Sequence, residues 1–396
     1  MRVLKKGAQV FLVLITIISI IIPTISYGQN TNIDKFSKSS ILIDQDTGRV
    51  LYEKNPDEKR PLASLSKMMT FLIAIEAINN KEINPQDIIV VDKDIAKVRG
   101  SSYKLKEGEE IPLIELMKGL MIVSGNDAAV AIAKHIGKNE ENFVKRMNKR
   151  AKEIGMANTL FVNCNGLPIY SLADPKKPPK ENISTARDIA KLGKFMMDNY
   201  ERQVTSITDM QTYSYSKRGF CKNNTNALLS IIPEVDGIKT GYTGNAGYCL
   251  AFSMKINEDG KGIKNRLIGV SLGANHKNKR VQACLEMLKY GKENFTTQKV
   301  MTKEDLIGKK YLKGLDDLEI TLECKDDLII MKKNDENINT QLTFKEIKLP
   351  INKGDVLGVI KYYNDDGEIL GTNKIVSKEN LCDISLKTRI KILIAD

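Results

Sequence analysis

A hydroxyl and an amine lie three residues apart in the segment Ser64-Leu65-Ser66-Lys67, a spacing that puts Ser64 and Lys67 on one face of a helix. A serine hydroxyl is a weak nucleophile until a base takes its proton. A lysine can be that base if burial or a nearby cation lowers its pKa. The pattern alone has low specificity, because Ser214-Tyr215-Ser216-Lys217 repeats it and a solvated helix start would also produce it.

Two further short segments combine hydroxyl, amide and amine groups. Ser124-Gly125-Asn126 separates two apolar segments with helical spacing, and its glycine allows a turn that directs a hydroxyl and an amide towards one cleft. Lys239-Thr240-Gly241 ends a predicted strand, where an amine and a hydroxyl can bind a carboxylate. Each segment alone could be a simple capping or strand-ending turn. The ordered set of three is far more specific than any one of them.

The elements that must position these groups are a mixture of strands and helices. Ser40–Tyr52 predicts a hairpin, and Leu65–Ile78 predicts an apolar helix that begins near Ser64. The other predicted elements of this region are helices over Ile111–Val123, Asp127–Ile136, Ser184–Tyr200 and Lys279–Phe295, and strands over Asp236–Thr240, Tyr248–Ile256 and Arg266–Leu272. Strands joined mainly by hairpins and flanked by helices predict an α+β domain over residues 36–296.

The pattern changes from about residue 298, where short alternating segments are separated by turn signals such as Asn364-Asp365-Asp366-Gly367. This pattern predicts a small all-β domain over residues 298–386 and a short tail over 387–396. The β region contains no cluster of catalytic residue types. We therefore expect the chemistry to be confined to the first domain.

The N-terminal residues 1–28 have the layout of a secretory signal peptide. Three cations precede the apolar run Val10–Ile22, and Ser26 and Gly28 are the small residues that precede a cut. An uncleaved anchor is the alternative, although the run is shorter than the about 20 residues that a span needs. The sequence therefore predicts export to the cell wall or to the outer face of the cytoplasmic membrane.

The net charge of the 396-residue chain is +12, and it falls to +9 when the three cations of residues 1–28 are removed. Outside the cell, this charge is compatible with peripheral contact with anionic wall polymers or lipid headgroups, and equally with a solvated mixed surface. Nucleic acid is not expected as a partner, because an exported chain without a recognition motif has no access to it.

The inventory of cysteines and histidines argues against metal and triad chemistry. The six cysteines form no CxxC pair and no Cys/His cluster with zinc spacing, so we expect free thiols in or near the core and no metal or cofactor. A Ser-His-Asp triad would have to use His135 or His276, and neither lies in a recognisable triad motif. A lysine base for Ser64 is therefore preferred, and Lys239 is a second cation that could face Lys67 and favour its neutral form.

With these motifs in order, the sequence resembles the low-molecular-mass penicillin-binding proteins, the serine D-alanyl-D-alanine carboxypeptidases. The resemblance covers about residues 36–296 and continues into the β region at Leu349-Pro350-Ile351-Asn352-Lys353-Gly354-Asp355. The matching segments are Gly48-Arg49-Val50-Leu51-Tyr52, Pro61 to Thr70, Val123 to Ala128, Val235 to Thr243 and Ala246 to Leu250. The resemblance implies a penicillin-binding and β-lactamase-like fold, in which an antiparallel sheet is flanked by helices.

The resemblance also implies roles for named residues. Ser64 would attack the carbonyl of the D-Ala–D-Ala bond of a peptidoglycan pentapeptide, Lys67 would take its proton, and Ser124 would help to pass a proton to the leaving group. The residues implied in substrate binding are Asn126, Lys239, Thr240, Gly241, Tyr242 and Arg280. The backbone N–H groups of Ser64 and Tyr242 would form the oxyanion hole. β-Lactams would be covalent inhibitors.

Rival functions share parts of this pattern. A class A β-lactamase would add a glutamate that activates the deacylating water, and no such segment is found in the expected region. A transpeptidase of the larger synthases would usually add an N-terminal module. A catalytically silent wall-binding protein is the alternative from another class, and it would not need all of Ser64, Lys67 and Ser124.

Overall fold

The computed structural model describes residues 33–174, 176–257, 264–303, 305–312, 315–346 and 350–381. The predicted signal peptide and tail lie outside the described residues. Seven helices fall within these ranges: α1 Lys67–Asn79, α2 Lys93–Ala96, α3 Leu113–Met121, α4 Asn126–Gly137, α5 Glu140–Ile154, α6 Ala186–Thr208 and α7 Lys277–Asn294. No helix in the described part of the chain is both long and apolar enough to cross a bilayer.

The described strands belong to two larger sheets and several small ones. In chain order they are β1 Ser39–Asp44, β2 Val50–Lys54, β3 Arg60–Pro61, β4 Ile88–Val90, β5 Glu110–Pro112, β6 Ile183–Ser184, β7 Thr212–Tyr215, β8 Phe220–Asn223, β9 Val235–Thr243, β10 Gly247–Asn257, β11 Lys264–Ala274, β12 Phe295–Met301, β13 Leu306–Leu312, β14 Leu315–Cys324, β15 Leu328–Lys333, β16 Asn339–Phe344, β17 Val356–Tyr363 and β18 Ile369–Ser377.

The main sheet is antiparallel with the order β2-β1-β11-β10-β9, and both of its faces are covered. Successive side chains of a strand point to opposite faces, so β1 serves two cores. Ile41 and Ile43 pack into the larger core with α1 and α6, whereas Leu42 packs into the smaller core with α7. The predicted α+β class is confirmed.

Helix α1 runs through the middle of the larger core. Every residue from Lys67 to Ala77 is buried, and α3, α4, α5 and α6 all contact the helix. A helix that is apolar all round is stable only in such a position. The lysine at its first turn is therefore placed in the interior by the packing of the whole helix.

Several element boundaries differ from the prediction. Helix α5 was not predicted, and α6 continues to Thr208 past the non-helical Tyr200. Residues 111 and 112, expected as the start of a helix, belong to β5 instead. Strand β9 does not end at Thr240 but continues to Thr243, because Gly241 and Tyr242 pair with Cys249 and Tyr248 of β10. The Lys239-Thr240-Gly241 segment thus lies within an edge strand.

The C-terminal part is all-β, as predicted, although β12 and β13 were not foreseen. Its sheet has the order β13-β14-β18-β17-β16, and β12 pairs with β15. Alternate residues fill a separate small core that includes Ile320, Leu322, Leu357, Leu370 and Ile375. None of the residues implied in chemistry lies in this part.

One arginine joins the two regions. Arg49, immediately before β2, donates to the carboxylates of Glu336 and Glu368 at 2.6–2.8 Å and to the Met331 carbonyl at 2.9 Å. Only 2% of its side chain is exposed. This arginine belongs to the Gly48-to-Tyr52 segment of the resemblance, and the structure gives it an interdomain contact.

Candidate active site

Ser64 lies in a short 3₁₀ helix, Ala63–Ser66, that leads directly into α1. Ala63 has a left-handed backbone with φ +47°, which is uncommon for a residue other than glycine. The Ser66 hydroxyl donates to the Ala63 carbonyl at 2.8 Å and closes this turn. Ser64 and Lys67 were predicted on one helix. They lie on either side of a 3₁₀-to-α junction, and the i, i+3 contact is kept.

The Lys67 ammonium is held by three oxygen atoms. Its Nζ lies 2.8 Å from Ser64 Oγ, 2.6 Å from Asn126 Oδ1 and 2.8 Å from the Asn165 carbonyl. The side chain is fully buried. This geometry connects the hydroxyl and amine of the first motif to the amide of the second.

Burial lowers the pKa of Lys67 to about 7, although nearby Cys164 and Asp127 act in the opposite direction. Desolvation disfavours the charged form of a lysine, so this amine can be neutral near neutral pH. Lys239 was expected to contribute as a second cation. Burial is instead the cause that lowers the pKa of Lys67. The influence between the two lysines is seen at Lys239, whose pKa is lowered in part by the charge of Lys67.

The Ser124-Gly125-Asn126 turn forms a second wall of the site. Ser124 is buried, with a left-handed φ of +63°, and Asn126 begins α4. The Asn126 amide is fixed at both ends, because its Oδ1 accepts from Lys67 and its Nδ2 donates to the Arg99 carbonyl at 2.8 Å. The backbone N–H of Asn126 donates to the Ser101 carbonyl at 2.8 Å.

Sequence reasoning missed the loop that supplies the third oxygen to Lys67. Asn165 lies beside Gly166, whose φ is +88° and whose Cα faces the Ala63 carbonyl so closely that a Cβ would lie 1.9 Å from it. The Cys164 carbonyl accepts from Thr70 of α1 at 2.6 Å. The only sequence signal was the Asn-Gly pair in Asn163-Cys164-Asn165-Gly166-Leu167, which marks a turn but not its partner.

The third motif faces the nucleophile along the edge of β9. A Cβ on Gly241 would lie 3.2 Å from the Ser64 backbone nitrogen, so the absence of a side chain keeps the space beside this N–H open. Lys239 is buried, and its Nζ donates to the Thr240 carbonyl at 3.0 Å. Burial is the main cause of its strongly lowered pKa, followed by the charges of Lys67 and Arg280.

Thr225 connects the second and third motifs and was not predicted. The Thr240 hydroxyl donates to the Thr225 hydroxyl at 2.7 Å, and the Thr225 backbone N–H donates to the Ile122 carbonyl at 3.1 Å. Ile122 lies two residues before Ser124 in the chain. One threonine therefore fixes the separation between the two walls.

The two residues with the weakest sequence argument lie at the margin of the site. Tyr242 is 55% exposed and stacks on Tyr248 with ring centroids 4.2 Å apart. Arg280 of α7 is buried and donates to the Cys249 carbonyl at 3.4 Å. Since Cys249 pairs with Gly241, this guanidinium lies one strand behind the motif, and burial lowers its pKa.

The second Ser-x-x-Lys segment does not form such a pair. Ser214 is exposed on β7 and Lys217 is exposed in a separate 3₁₀ helix. His135 contacts Asp87 at 3.1 Å and the His276 ring accepts from the Asn278 backbone, so neither histidine is the partner of Ser64. Of the cysteines in the described part of the chain, Cys164, Cys249, Cys284 and Cys324 are free and buried and Cys221 is free and exposed.

Comparison with known proteins agrees with this fold. The D-alanyl-D-alanine carboxypeptidase family model, Peptidase S11, matches residues 27–276, and the penicillin-binding protein 5 C-terminal domain model matches residues 295–381. The chain is 35% identical to D-alanyl-D-alanine carboxypeptidase DacF of Bacillus subtilis (strain 168), over 91% of this chain and 90% of that protein.

Two solved structures extend the comparison. The crystal structure of penicillin-binding protein 5 from Haemophilus influenzae superposes with a TM-score of 0.75 at 27% identity, covering 88% of this chain and 98% of that chain. Penicillin-binding protein D2 from Listeria monocytogenes in its cefotaxime-bound form superposes with a TM-score of 0.56 at 29% identity, covering 64% of this chain and 96% of that chain.

The fold and the Ser/Lys site define a serine peptidase of the penicillin-binding type. The chain belongs to the D-alanyl-D-alanine carboxypeptidase family of low-molecular-mass penicillin-binding proteins. The predicted family, the fold class and the predicted enzyme class are confirmed. The domain boundaries and the individual roles of the site residues stay predictions.

Proposed function

We propose that the chain removes the terminal D-alanine from peptidoglycan stem pentapeptides through an acyl-enzyme on Ser64. The observation that carries this assignment is the contact of a fully buried lysine amine with the Ser64 hydroxyl at 2.8 Å. An amine with a pKa of about 7 can accept a proton near neutral pH, which is the requirement for a general base.

In the acylation step, neutral Lys67 takes the Ser64 proton while Ser64 Oγ attacks the carbonyl of the penultimate D-alanine. The backbone N–H of Ser64, beside the open space at Gly241, and that of Tyr242 stabilise the oxyanion. The C–N bond then breaks, and Ser124 passes the proton from Lys67 to the departing D-alanine amine. In the second step, Lys67 takes a proton from a water molecule, which attacks the acyl carbonyl and releases the shortened peptide from Ser64.

Recognition of the terminal carboxylate is assigned to Lys239 and Thr240, with Arg280 adding positive potential from behind Cys249. Asn126 holds Lys67 and lines the opposite wall of the cleft. A β-lactam would enter by the same route and remain on Ser64 as a covalent adduct. The solved structures of penicillin-binding protein D2 from Listeria monocytogenes in cefotaxime-bound and ampicillin-bound forms support this proposal.

The signal-peptide layout of residues 1–28 supports export across the cytoplasmic membrane, to the side on which the pentapeptide is found. Sequencing the N-terminus of the protein recovered from the cell envelope tests this directly. A mature chain that begins at Gln29 would agree with the proposal. A chain that retains Met1 in the cytosol would contradict it.

Covalent labelling tests the acyl-enzyme. We expect purified residues 29–396 to retain a fluorescent penicillin on a denaturing gel, and the Ser64→Ala variant to retain none, because the attacking oxygen is removed. Release of D-alanine from a pentapeptide then separates a carboxypeptidase from a β-lactamase. Equal labelling of the wild-type chain and Ser64→Ala would disprove the assignment of Ser64.

A further inference from the structure

A group of exposed cations lies on two segments that contact the walls of the catalytic cleft, at Asn126 and at Thr240, and is not used by the mechanism above. This cationic rim consists of Lys97, Arg99, Lys104, Lys217 and Lys222, all exposed. Lys217 is the lysine of the second Ser-x-x-Lys segment. Within the described part of the chain, none of the five forms an ion pair or donates a side-chain hydrogen bond.

The rim comes from two segments that are distant in sequence. Residues 95–106 and 210–233 each contain several lysines or arginines and no acidic residue. Arg218 joins them, because its guanidinium donates to the Tyr103 carbonyl at 3.1 Å and to the Lys104 carbonyl at 2.7 Å. The fold thus gathers two acid-free segments on one side of the cleft.

Three carboxylates that contact these segments are already engaged. Glu109 pairs with Arg218, and Glu115 pairs with Lys118 at 2.7 Å. Both oxygens of Asp127 accept hydrogen bonds from the 102–105 loop. The charge of the rim is therefore not neutralised by these three, and a cleft bordered by one sign of charge attracts ligands of the other sign.

Arg99 lies closest to the reacting atoms. Its carbonyl is 2.8 Å from Asn126 Nδ2, and Asn126 Oδ1 is 2.6 Å from Lys67 Nζ, which contacts Ser64 Oγ at 2.8 Å. These contacts place the Arg99 carbonyl within about 10 Å of Ser64 Oγ, roughly the length of three residues of extended peptide. The exposed side chain of Arg99 therefore starts within reach of a substrate group two or three residues before the cleaved bond.

We propose that the cationic rim binds a carboxylate that the peptide substrate carries upstream of the cleaved bond, with Arg99 as the main anchor. This inference rests on the proposed function, in which Lys239 and Thr240 hold the terminal carboxylate, and it adds that the upstream residues extend along the Asn126 wall. The guanidinium can bind a carboxylate through two parallel hydrogen bonds. The four lysines raise the local concentration of acidic peptide.

The test compares two matched peptides that end in D-Ala-D-Ala. One has a carboxylate two residues before the cleaved bond, and the other has a carboxamide in its place. We expect the wild-type chain to show a higher kcat/KM for D-alanine release from the acidic peptide, and added salt to reduce this preference. We expect Arg99→Gln to reduce the ratio of the two kcat/KM values about fivefold to tenfold.

Arg202→Gln is the matched control, since Arg202 is an exposed arginine of α6 that borders a separate cavity with Asp46 and Asn265. It should keep the wild-type ratio. A structural role of Arg99 through Asn126 would lower both rates equally and leave the ratio unchanged, and that result would overturn the proposal.

Penicillin labelling and polymer binding distinguish failure of the rim proposal from failure of the proposed function. If the wild-type chain forms the penicillin adduct but cleaves both peptides equally well, the rim proposal is wrong while the acyl-enzyme stands. If no adduct forms, the proposed function and the rim proposal fail together. Loss of binding to a glycerol-phosphate polymer in Arg99→Gln, without a change in the peptide ratio, would assign the rim to wall polymers and overturn the proposal.

Discussion

At the scale of single residues, Asn126 decides how the buried base is used. Its Oδ1 accepts from Lys67 and its Nδ2 donates to Arg99, so the amide cannot rotate without losing both bonds. A neutral oxygen at this position holds the lysine and favours its charged form less than a carboxylate would. A carboxylate of the same shape would hold it equally well and would favour the ammonium.

The pH dependence of acylation follows from this arrangement. Lys67 acts as a base when it is neutral, so the rate of penicillin acylation should rise with pH through a midpoint near 7 and level off above it. In Asn126→Asp we expect the midpoint to move up by about one to two pH units, since an opposite charge in contact favours the ammonium. The rate at pH 7 should then fall about fivefold to fiftyfold.

Asn126→Ala provides the control for this prediction. It removes the hydrogen bond without adding a charge, so the rate should fall at every pH with no upward shift of the midpoint. Stopped-flow acylation between pH 5.5 and 9.5 measures both variants. An unchanged midpoint in Asn126→Asp would show that Lys67 is not the titrating base.

Sequence patterns predicted the groups that react and the Asn126 amide, but not the other groups that hold them. Ser64 and Lys67 were evident because a hydroxyl and an amine lie three residues apart, which places both on one helix face. The Asn165 and Arg99 carbonyls could not be predicted, because every residue has a backbone carbonyl. Only the fold determines which of them accepts from Lys67 or Asn126. Thr225 was hidden for a related reason, since its contact with Thr240 depends on the path of the chain between β8 and β9.

At the scale of elements, strand β9 must hold its edge motif against the 3₁₀ helix of Ser64. A buried carboxylate near its start provides the anchor. Asp236 accepts from the Arg266 guanidinium of β11 at 2.5–2.6 Å and from the Ser253 hydroxyl of β10 at 2.6 Å. Both partners of the ion pair are almost fully buried. One side chain thus bonds to both strands that follow β9 in the sheet.

We expect Asp236→Ala to lower the free energy of unfolding by about 3–5 kcal/mol, because it leaves the Arg266 charge buried without this partner. Urea denaturation monitored by circular dichroism measures the loss. The double variant Asp236→Ala with Arg266→Met should be less destabilised than the sum of the single variants. Additive losses would show that the pair is not coupled.

The strand boundaries show where pattern analysis fails at this scale. Lys239-Thr240-Gly241 was expected to end a strand because glycine disfavours strand interiors. The structure places Gly241 in β9, where an added Cβ would lie 3.0 Å from the Leu62 carbonyl oxygen and 3.2 Å from the Ser64 nitrogen and would crowd the 3₁₀ helix. The polar helix α5 was missed because most of its residues face solvent, with Phe143, Met147 and Ala151 as its buried stripe.

At the scale of the whole molecule, the Arg49 contact fixes the β domain against the catalytic domain. Three of its four hydrogen bonds reach carboxylates, and its guanidinium also lies over the Phe295 ring at 5.6 Å from the centroid. The pKa of Glu336 is lowered by Arg49, Asn364 and the Lys333 backbone, against the effect of burial. The pair is therefore charged at neutral pH.

Calorimetry of Arg49→Ala tests this connection. The wild-type chain should unfold in one transition, whereas the variant should show two, with the β domain melting first, because a buried carboxylate loses its cation. Arg187→Ala is the control, since Arg187 pairs with Glu53 and Asp57 at a more exposed site within the catalytic domain. It should keep a single transition. A single transition at the wild-type temperature in Arg49→Ala would contradict the prediction.

The left-handed backbones at Ala63 and Ser124 have a consequence for how this protein can evolve. Each conformation costs a residue with a side chain about 1 kcal/mol or more, and glycine would remove most of that cost. A lineage under selection for heat resistance therefore has two positions at which glycine would relieve the backbone, both in the walls of the site. Position 124 is closed to it as long as the hydroxyl is required, so adaptation should favour position 63.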